Sequence, residues 1–115
     1  MRTIIAGSRN FNNYNLMNET IKNVPWIVTK VISGTAKGAD RLGERWAIER
    51  NIPVERFYAD WAKFGKSAGP IRNAQMASIA EALIAFPSKE SCGTRSMIEI
   101  AKRCGLLIKI VEEDE

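Results

Sequence analysis

The sequence VISGTAKGADRL occupies residues 31–42 and joins an apolar run to a small-residue loop and then to a helical pattern. We interpret it as a strand, a phosphate-sized turn and the start of a helix. Gly34 and Gly38 carry no Cβ, so the backbone can turn sharply there and approach a ligand closely. The first N–H groups of the following helix have no intrahelical partner, and together with the helix dipole they favour an anion. Lys37 adds a positive charge, so the stretch predicts a phosphate-binding turn.

Apolar strand patterns and helical patterns continue to alternate on both sides of this stretch. Predicted strands cover residues 3–6, 27–32, 53–57, 82–86 and 106–111, and predicted helices cover residues 14–23, 37–51, 71–80 and 93–103. The apolar residues of the segment 60–69 follow neither a helical nor a strand spacing, and the segment is predicted to form a long functional loop. Strands that are almost continuously apolar and alternate with helices are typical of a parallel sheet covered on both faces. We therefore expect a three-layer α/β/α sandwich with a mostly parallel five-stranded sheet, formed by residues 1–115 as a single domain.

The composition excludes several classes of protein. The chain has 115 residues and a net charge of +4, which suits an anionic partner. It has no histidine, and Cys92 and Cys104 are its only cysteines. Ser-His and Cys-His catalysis, a zinc site and a disulfide framework are therefore not expected. No apolar run approaches the roughly 20 residues of a membrane-spanning helix, and the N-terminus lacks the layout of a signal peptide. We expect a cytoplasmic protein with no membrane partner, no metal and no cofactor.

Four predicted loops follow the carboxyl ends of strands and are expected to converge. In a parallel sheet, ligands bind beyond these ends, at the crevice where the strand order reverses. The loops cover residues 7–13, 33–40, 60–72 and 87–94. The candidate ligand-binding residues on or beside them are Gly7, Ser8, Arg9, Ser33, Gly34, Thr35, Lys37, Gly38, Ala39, Asp40, Asp60, Trp61, Gly69, Pro70, Arg72, Asn73, Phe86, Gly93 and Thr94.

Two of these loops have both an anion-binding and a purely structural interpretation. The segment Gly7-Ser8-Arg9 either binds phosphate through backbone N–H groups and the arginine, or is a tight turn with a solvated arginine. For residues 33–40 we favour binding over simple chain reversal, because the turn, the helix start and Asp40 coincide. Asp40 either offsets the helix dipole or accepts hydrogen bonds from ribose hydroxyls. Since a carboxylate repels a bare phosphate, it favours a ribose portion nearby.

The helix that begins near Pro70 carries Arg72 in its first turn. Arginine is electrostatically unfavourable at a helix N-terminus unless an anion is bound there. We therefore predict that Arg72 contacts a ligand rather than serving as a surface residue. The Gly93-Thr94 turn is either a second anion-binding helix start or a plain turn. Trp61 either stacks on a base or covers the edge of the core.

Together these motifs resemble a known family. The segments that carry the resemblance are Gly7-Ser8-Arg9, Ser33-Gly34-x-Ala36-Lys37-Gly38-Ala39-Asp40, Asp60-Trp61, Ala68-Gly69-Pro70-x-Arg72-Asn73, Phe86-Pro87 and Gly93-Thr94. They resemble the YspA-like branch of the SLOG superfamily, which groups Rossmann-like domains related to Smf/DprA and to the LOG phosphoribohydrolases. The resemblance implies a Rossmann-like domain and a nucleotide or nucleotide-derived ligand, such as an ADP-ribose-like molecule. It also implies a sensing or processing role, as in bacterial or phage conflict systems.

The chain departs from the LOG enzymes at the residue that performs their chemistry. Those enzymes carry Pro-Gly-Gly-x-Gly-Thr-x-x-Glu, whose glutamate serves N-glycosidic bond cleavage, whereas Met97 stands at that position here. Cleavage of this kind needs a carboxylate that assists as charge develops at the ribose. Asp40 and Glu90 are the candidate catalytic residues, and Asp60 and Glu99 are the other carboxylates that could substitute.

Three functions remain, in the following order. The first is a sensor or binding module that holds a nucleotide or ADP-ribose-like ligand at the carboxyl edge of the sheet. The second is a nucleotide N-glycosidic bond hydrolase, with Arg72 on the phosphate. The third is single-stranded nucleic-acid binding with Trp61 as a stacking platform, which the lack of a long basic stripe disfavours. The helical spacing of Trp46 with Leu42 favours a place in the core, and Trp26 is either a packing residue or an oligomer contact. Either tryptophan could serve as a contact in a homo-oligomer.

Overall fold

Strands and helices alternate along residues 1–112, the part of the chain that the computed structural model describes. The strands are β1 (Arg2–Gly7), β2 (Lys30–Ser33), β3 (Val54–Arg56), β4 (Ala82–Phe86) and β5 (Leu107–Ile110). The helices are α1 (Tyr14–Asn23), α2 (Ala39–Glu49), α3 (Trp61–Phe64), α4 (Ala68–Ile79) and α5 (Cys92–Arg103), with a 3-10 turn at Gly65–Ser67. None of the helices in this part of the chain is long and apolar enough to cross a membrane. The last three residues of the predicted domain, 113–115, lie outside the described part.

The five strands form one sheet in the order β3-β2-β1-β4-β5, and all of its strand pairs are parallel. The predicted Rossmann-like sandwich is therefore confirmed. The central strand is β1, which pairs with β2 on one side and with β4 on the other. The strand order reverses between β1 and β4, because the chain first builds the sheet towards β3 and then towards β5. Open parallel sheets bind ligands at this reversal point.

Helices cover both faces of the sheet, and each face has its own core. Ile4 and Ile5 of β1 are fully buried and point to opposite faces, as successive strand residues do. Ile5 belongs to a cluster with Trp46 of α2, beneath α1 and α2. Ile4 belongs to a cluster with Met76 and Met97, beneath α4 and α5. Every residue of β4 is buried for the same reason, which explains its uninterrupted apolar sequence.

Residues 60–67 do not form the irregular loop that the sequence predicts. Asp60 caps a short helix, because its Oδ1 accepts a hydrogen bond from the Lys63 N–H at 3.1 Å. The one-turn helix α3 and the 3-10 turn follow, and α4 begins at Ala68, earlier than the predicted residue 71. A single helical turn is too short to show an apolar period, so the sequence pattern missed it. Pro70 lies in the first turn of α4, where an N–H has no intrahelical partner and its absence is tolerated.

The other differences concern the ends of elements. Helix α2 begins at Ala39 rather than at the predicted residue 37, because Gly38 has a φ of 80° and cannot be helical. The predicted strand at residues 27–32 is observed at Lys30–Ser33, since its neighbour β1 offers a first partner only at Arg2. The strands β3 and β5 are also slightly shorter than predicted.

Candidate functional site

A cleft of about 580 Å³ opens at the carboxyl ends of β1 and β4, where the strand order reverses. Its walls are the loop after β1, the start of α2, the rim formed by α3 and the following turn, the start of α4, and the loop that leads into α5. This volume is typical of small-molecule sites. The predicted ligand-binding residues that line it are Gly7, Ser8, Arg9, Asp40, Trp61, Gly69, Pro70, Arg72, Asn73, Gly93 and Thr94, and the predicted catalytic Asp40 and Glu90 both line it.

The other predicted residues do not line the cleft: Ser33, Gly34, Thr35, Lys37, Gly38, Ala39, Asp60 and Phe86. Several of them support its walls instead. Gly38 packs so closely on the loop after β1 that a Cβ there would stand 2.2 Å from the Ser8 carbonyl oxygen. Phe86 is fully buried and stacks on Phe11, with 4.6 Å between the ring centroids. Lys37 is exposed to solvent.

Asp40 is a buried carboxylate in one wall of the cleft, with only 5% of its surface exposed. Its Oδ2 accepts a hydrogen bond from the Ala36 N–H at 3.2 Å. Burial raises the pKa of Asp40 to about 6, while the Ala36 hydrogen bond and the positive charge of Arg72 limit the rise. A backbone donor of the glycine-rich turn therefore holds the protein's own carboxylate.

Other donors of residues 33–40 are also used within the protein. The Ala39 N–H, at the start of α2, donates to the Ser8 carbonyl oxygen at 3.2 Å. The Thr35 N–H donates to the Ser33 Oγ at 3.0 Å, and that hydroxyl donates to Glu44 Oε2 at 2.6 Å. The turn predicted to cradle a phosphate thus uses several of its donors within the protein, and the residues that it presents to the cleft are Asp40 and Ala36.

Arg72 lies in the opposite wall and is partly buried. Because α4 begins at Ala68 rather than near Pro70, Arg72 stands in the second turn of this helix and not in the first, where the sequence pattern places it. Its Nη1 donates to the Gly34 carbonyl oxygen at 2.8 Å, and its Nε donates to Asn73 Oδ1 at 3.3 Å. Burial lowers the pKa of Arg72, the negative charge of Asp40 raises it, and the positive charge of Arg9 lowers it. A guanidinium has five N–H donors, so three of them remain for a ligand in the cleft.

The start of α5 forms the third side of the cleft. Ser91 precedes this helix but makes no side-chain cap, and its Oγ accepts a hydrogen bond from the Ser88 N–H at 2.9 Å. The first turn of α5 contains no acidic residue, so its positive dipole end is not offset there. Gly93 and Thr94 in this turn line the cleft, and their N–H groups have no intrahelical partner. The arrangement is suited to an anion.

Trp61 forms the rim of the cleft. Its indole is 55% exposed, and its Cη2 atom would lie 3.3 Å from a Cβ placed on Gly69. The absence of a side chain at Gly69 therefore lets the edge of the Trp61 ring approach the start of α4 closely. An exposed indole beside a cleft of this size can stack on a planar group.

Sequence analysis missed the apolar floor of the cleft, formed by Met76 and Met97. Both are buried. Helical spacing could have found them, because Met76 follows Arg72 by four residues and Met97 follows Thr94 by three, which places each pair on one helix face. The missed lining residues with polar or small side chains are Ala6, Asn10, Ala36, Lys66, Ser88, Ser91, Cys92 and Ser96.

The two predicted catalytic carboxylates have different surroundings. Asp40 is buried, whereas Glu90 is exposed in the loop before α5. Met97, at the position of the LOG glutamate, is 1% exposed and brings no ionisable group to the floor. Among residues 1–112, no three side chains of the kinds that bind metals come together as a potential metal site.

Comparison with known proteins identifies the family. A family model described as the YspA, cpYpsA-related SLOG family matches residues 1–64, which is more than half of the chain. The chain belongs to this SLOG family. It is also 32% identical, over 115 aligned residues, to the Gene 61 protein of Mycobacterium phage D29, with 91% of each chain covered. No solved structure matches significantly.

The SLOG family match confirms the resemblance found in the motifs. It covers some of the residues that form the cleft and not others. Asp40 and Trp61 lie within the matched residues 1–64, whereas Arg72 and the start of α5 lie beyond them. The cleft of this SLOG protein is therefore built jointly by the family-matched segment and the rest of the chain.

Proposed function

We propose that this SLOG protein binds a nucleotide or a nucleotide-derived ligand in the cleft, as a sensor or binding module. The observation that carries the proposal is the state of Arg72. It is partly buried, the negative charge of Asp40 attracts it while the positive charge of Arg9 repels it, and it forms no salt bridge with another described residue. Burying a charge that has no salt-bridge partner is costly. A phosphate bound between the two arginines offsets that cost.

The start of α5 provides further contacts for the phosphate. The N–H groups of Gly93 and Thr94 lie in the same cleft as Arg72, and a helix N-terminus favours an anion through its free donors and its dipole. Backbone donors, a dipole and a guanidinium are the usual components of a phosphate site. Family membership supports a nucleotide-related role in general terms.

The remaining parts of the cleft suit a ribose and a base. The pKa of Asp40 is about 6, so at neutral pH its carboxylate is mostly ionised and accepts hydrogen bonds from ribose hydroxyls. Trp61 on the rim offers a face for a base. An ADP-ribose-like molecule carries all three chemical groups, and for that reason we propose it as a representative ligand.

A thermal-shift screen tests this function. The wild type is heated with nucleotides, NAD, ADP-ribose and cyclic nucleotides, and the screen is repeated with Arg72→Ala. A ligand at 100 times its Kd adds about 2.7 kcal/mol to the free energy of unfolding, and we expect Arg72→Ala to lose most of that gain. Arg103→Ala, at the exposed end of α5, is the matched control and should respond like the wild type. If no compound shifts the wild type, the proposed function is wrong.

A second candidate function is hydrolysis of a nucleotide N-glycosidic bond. It is favoured by the raised pKa of Asp40, about 6, since a carboxyl group that titrates near the working pH can transfer a proton efficiently. Chromatography of nucleoside monophosphates after incubation would show the free base. We expect Asp40→Asn to abolish its release and Glu90→Gln to retain it, because Glu90 is exposed. No release by the wild type from any nucleotide would exclude this activity.

A further inference from the structure

A second, shallower pocket of about 460 Å³ lies beside the cleft. It is formed between the loop after β1 and the first half of α2. The residues that line it are Arg9, Asn10, Phe11, Asn12, Gly38, Arg41, Leu42 and Arg45. Arg9 and Asn10 line the cleft as well, so the two concave surfaces share one border.

The shallow pocket is positively charged, with three arginines and no acidic side chain in its lining. Arg41 and Arg45 are four residues apart on α2 and therefore lie on the same helix face, where like charges repel. Arg41 also lies in the first turn of α2, near the positive end of the helix dipole. The neighbouring Asp40 carboxylate is buried, accepts a hydrogen bond from the Ala36 N–H and forms no salt bridge with Arg41.

Two of the three arginines are available for a ligand. Arg45 is already engaged, because its Nε donates to Glu49 Oε2 at 3.1 Å and its guanidinium lies 4.1 Å from the Tyr14 ring centroid. Arg9 and Arg41, by contrast, make no side-chain hydrogen bond and no salt bridge within residues 1–112. The positive charges of Arg9 and Arg41 are therefore not balanced by a salt bridge within the described part of the chain.

We infer that the shallow pocket is a second anion site, which binds a further phosphate group of the ligand held in the cleft. The ligand class is then a nucleotide derivative with at least two phosphate groups rather than a nucleoside monophosphate. Arg9 lies on the shared border and contributes to both sites, and its charge also reaches Arg72. The ligand class rests on the proposed function, whereas the anion site rests on the arginines of the pocket.

Isothermal titration calorimetry with AMP, ADP and ADP-ribose tests the ligand class in the wild type and in Arg41→Ala. Arg41 is exposed, so its removal should not harm the fold. We expect Arg41→Ala to weaken the affinity for ADP and for ADP-ribose at least about ten-fold, because one charge-assisted contact is lost. The affinity for AMP should fall less than about two-fold. Lys37→Ala is the matched control, because Lys37 is an exposed cation that lines neither the cleft nor the pocket. Equal losses for all three ligands, or equal effects of the two variants, would overturn the inference.

A titration with inorganic pyrophosphate tests the anion site without any nucleotide. In amide NMR spectra we expect the signals of Asn10, Phe11 and Gly38 to shift in the wild type and to stay in place in Arg41→Ala. Unshifted signals in the wild type would overturn the anion site. If pyrophosphate binds here and no nucleotide binds the cleft, the anion site stands and the proposed function fails. If a single-stranded oligonucleotide binds more tightly than ADP-ribose and depends on Arg41, the small-molecule assignment is overturned.

Discussion

The Asp40 carboxylate and the Arg72 guanidinium meet at the backbone of Gly34 without forming a salt bridge with each other. A Cβ on Gly34 would stand 2.9 Å from Asp40 Oδ2 and 3.2 Å from Arg72 Cζ. Arg72 is held there by its 2.8 Å hydrogen bond to the Gly34 carbonyl oxygen. The bare Cα of Gly34 therefore lets two opposite charges approach from the two walls of the cleft, and each keeps hydrogen-bonding capacity for a ligand.

Gly34→Ala should displace Arg72 and weaken ligand binding. The new methyl group must push the Asp40 or Arg72 side chain away, and overpacking of this kind costs about 1–3 kcal/mol of stability. Calorimetry with the ligand found in the screen should show a weaker affinity, and thermal unfolding a lower Tm. Gly93→Ala is the control for stability, because a Cβ there meets nothing within 4 Å. Wild-type affinity in Gly34→Ala would contradict this account of the two walls.

Asp40 should make the stability of the protein depend on pH. Burial raises its pKa from 3.8 to about 6 in the folded protein. The folded state therefore binds this proton more tightly, so the contribution to stability is full below about pH 4 and is lost as the pH rises through about 6. One pKa unit corresponds to about 1.4 kcal/mol, so the loss is roughly 3 kcal/mol.

Asp40→Asn provides the measurement, because asparagine does not titrate. Denaturant unfolding at about pH 4 and about pH 7.5 should show the wild type losing roughly 2–2.5 kcal/mol relative to the variant between the two conditions, because the unfolded carboxyl is already partly ionised at about pH 4. The difference between the two proteins cancels the titration of other groups, such as Glu81, whose pKa is lowered by its hydrogen bond from the Arg2 N–H. If the difference in the free energy of unfolding between the wild type and Asp40→Asn does not depend on pH, the Asp40 carboxyl titrates normally.

Gly38 and Gly105 should respond very differently to alanine, although both have a positive φ. Their φ angles are 80° and 72°, in the left-handed region. A Cβ on Gly38 would stand 2.2 Å from the Ser8 carbonyl oxygen, whereas one on Gly105 meets nothing within 4 Å. We expect Gly105→Ala to cost about 1–2 kcal/mol from backbone strain alone, and Gly38→Ala roughly 2–5 kcal/mol from strain and overpacking together. Equal losses in denaturant unfolding would contradict the close packing at Gly38.

Trp61 should strengthen the binding of a base by stacking on it, and its fluorescence should report that binding. Stacking on an aromatic ring contributes about 1–3 kcal/mol per base, so Trp61→Ala should weaken a nucleotide and leave the affinity for inorganic phosphate unchanged. Ligand-dependent quenching of tryptophan fluorescence should disappear in the same variant. Phe64→Ala is the control, since Phe64 is 41% exposed on the same short helix but does not line the cleft. Full quenching in Trp61→Ala would assign the signal to Trp26 or Trp46.

The fold was predictable because its dominant signals are local in sequence. β4 is an apolar run, buried along its whole length, and α1, α2 and α5 have apolar residues at helical spacing. The segment at Trp61 was missed because one helical turn has no period to detect. The exact start of α2 depends on the positive φ of Gly38, which in turn reflects its packing against Ser8, about thirty residues earlier in the chain.

The candidate site was predictable in its location and less so in its internal arrangement. The convergence of strand-end loops follows from parallel topology alone, and Arg72 was singled out by its position near a helix start. That Asp40 turns inward onto the Ala36 N–H depends on how α2 packs against the sheet, which a residue pattern does not contain. The ligand-binding roles of these residues stay predictions until the experiments above are done.

Both walls of the cleft are attached to one ladder of hydrogen bonds. The residues Thr3–Gly7 of β1 pair with Ala82–Phe86 of β4, and this is the seam between the earlier and the later half of the chain. A ligand that contacts both walls also bridges the pairing of β1 with β4, so the contacts that give affinity oppose the separation of the two halves of the chain. A fragment that ended at residue 64 would keep the ligand contacts of one wall and lose those of the other.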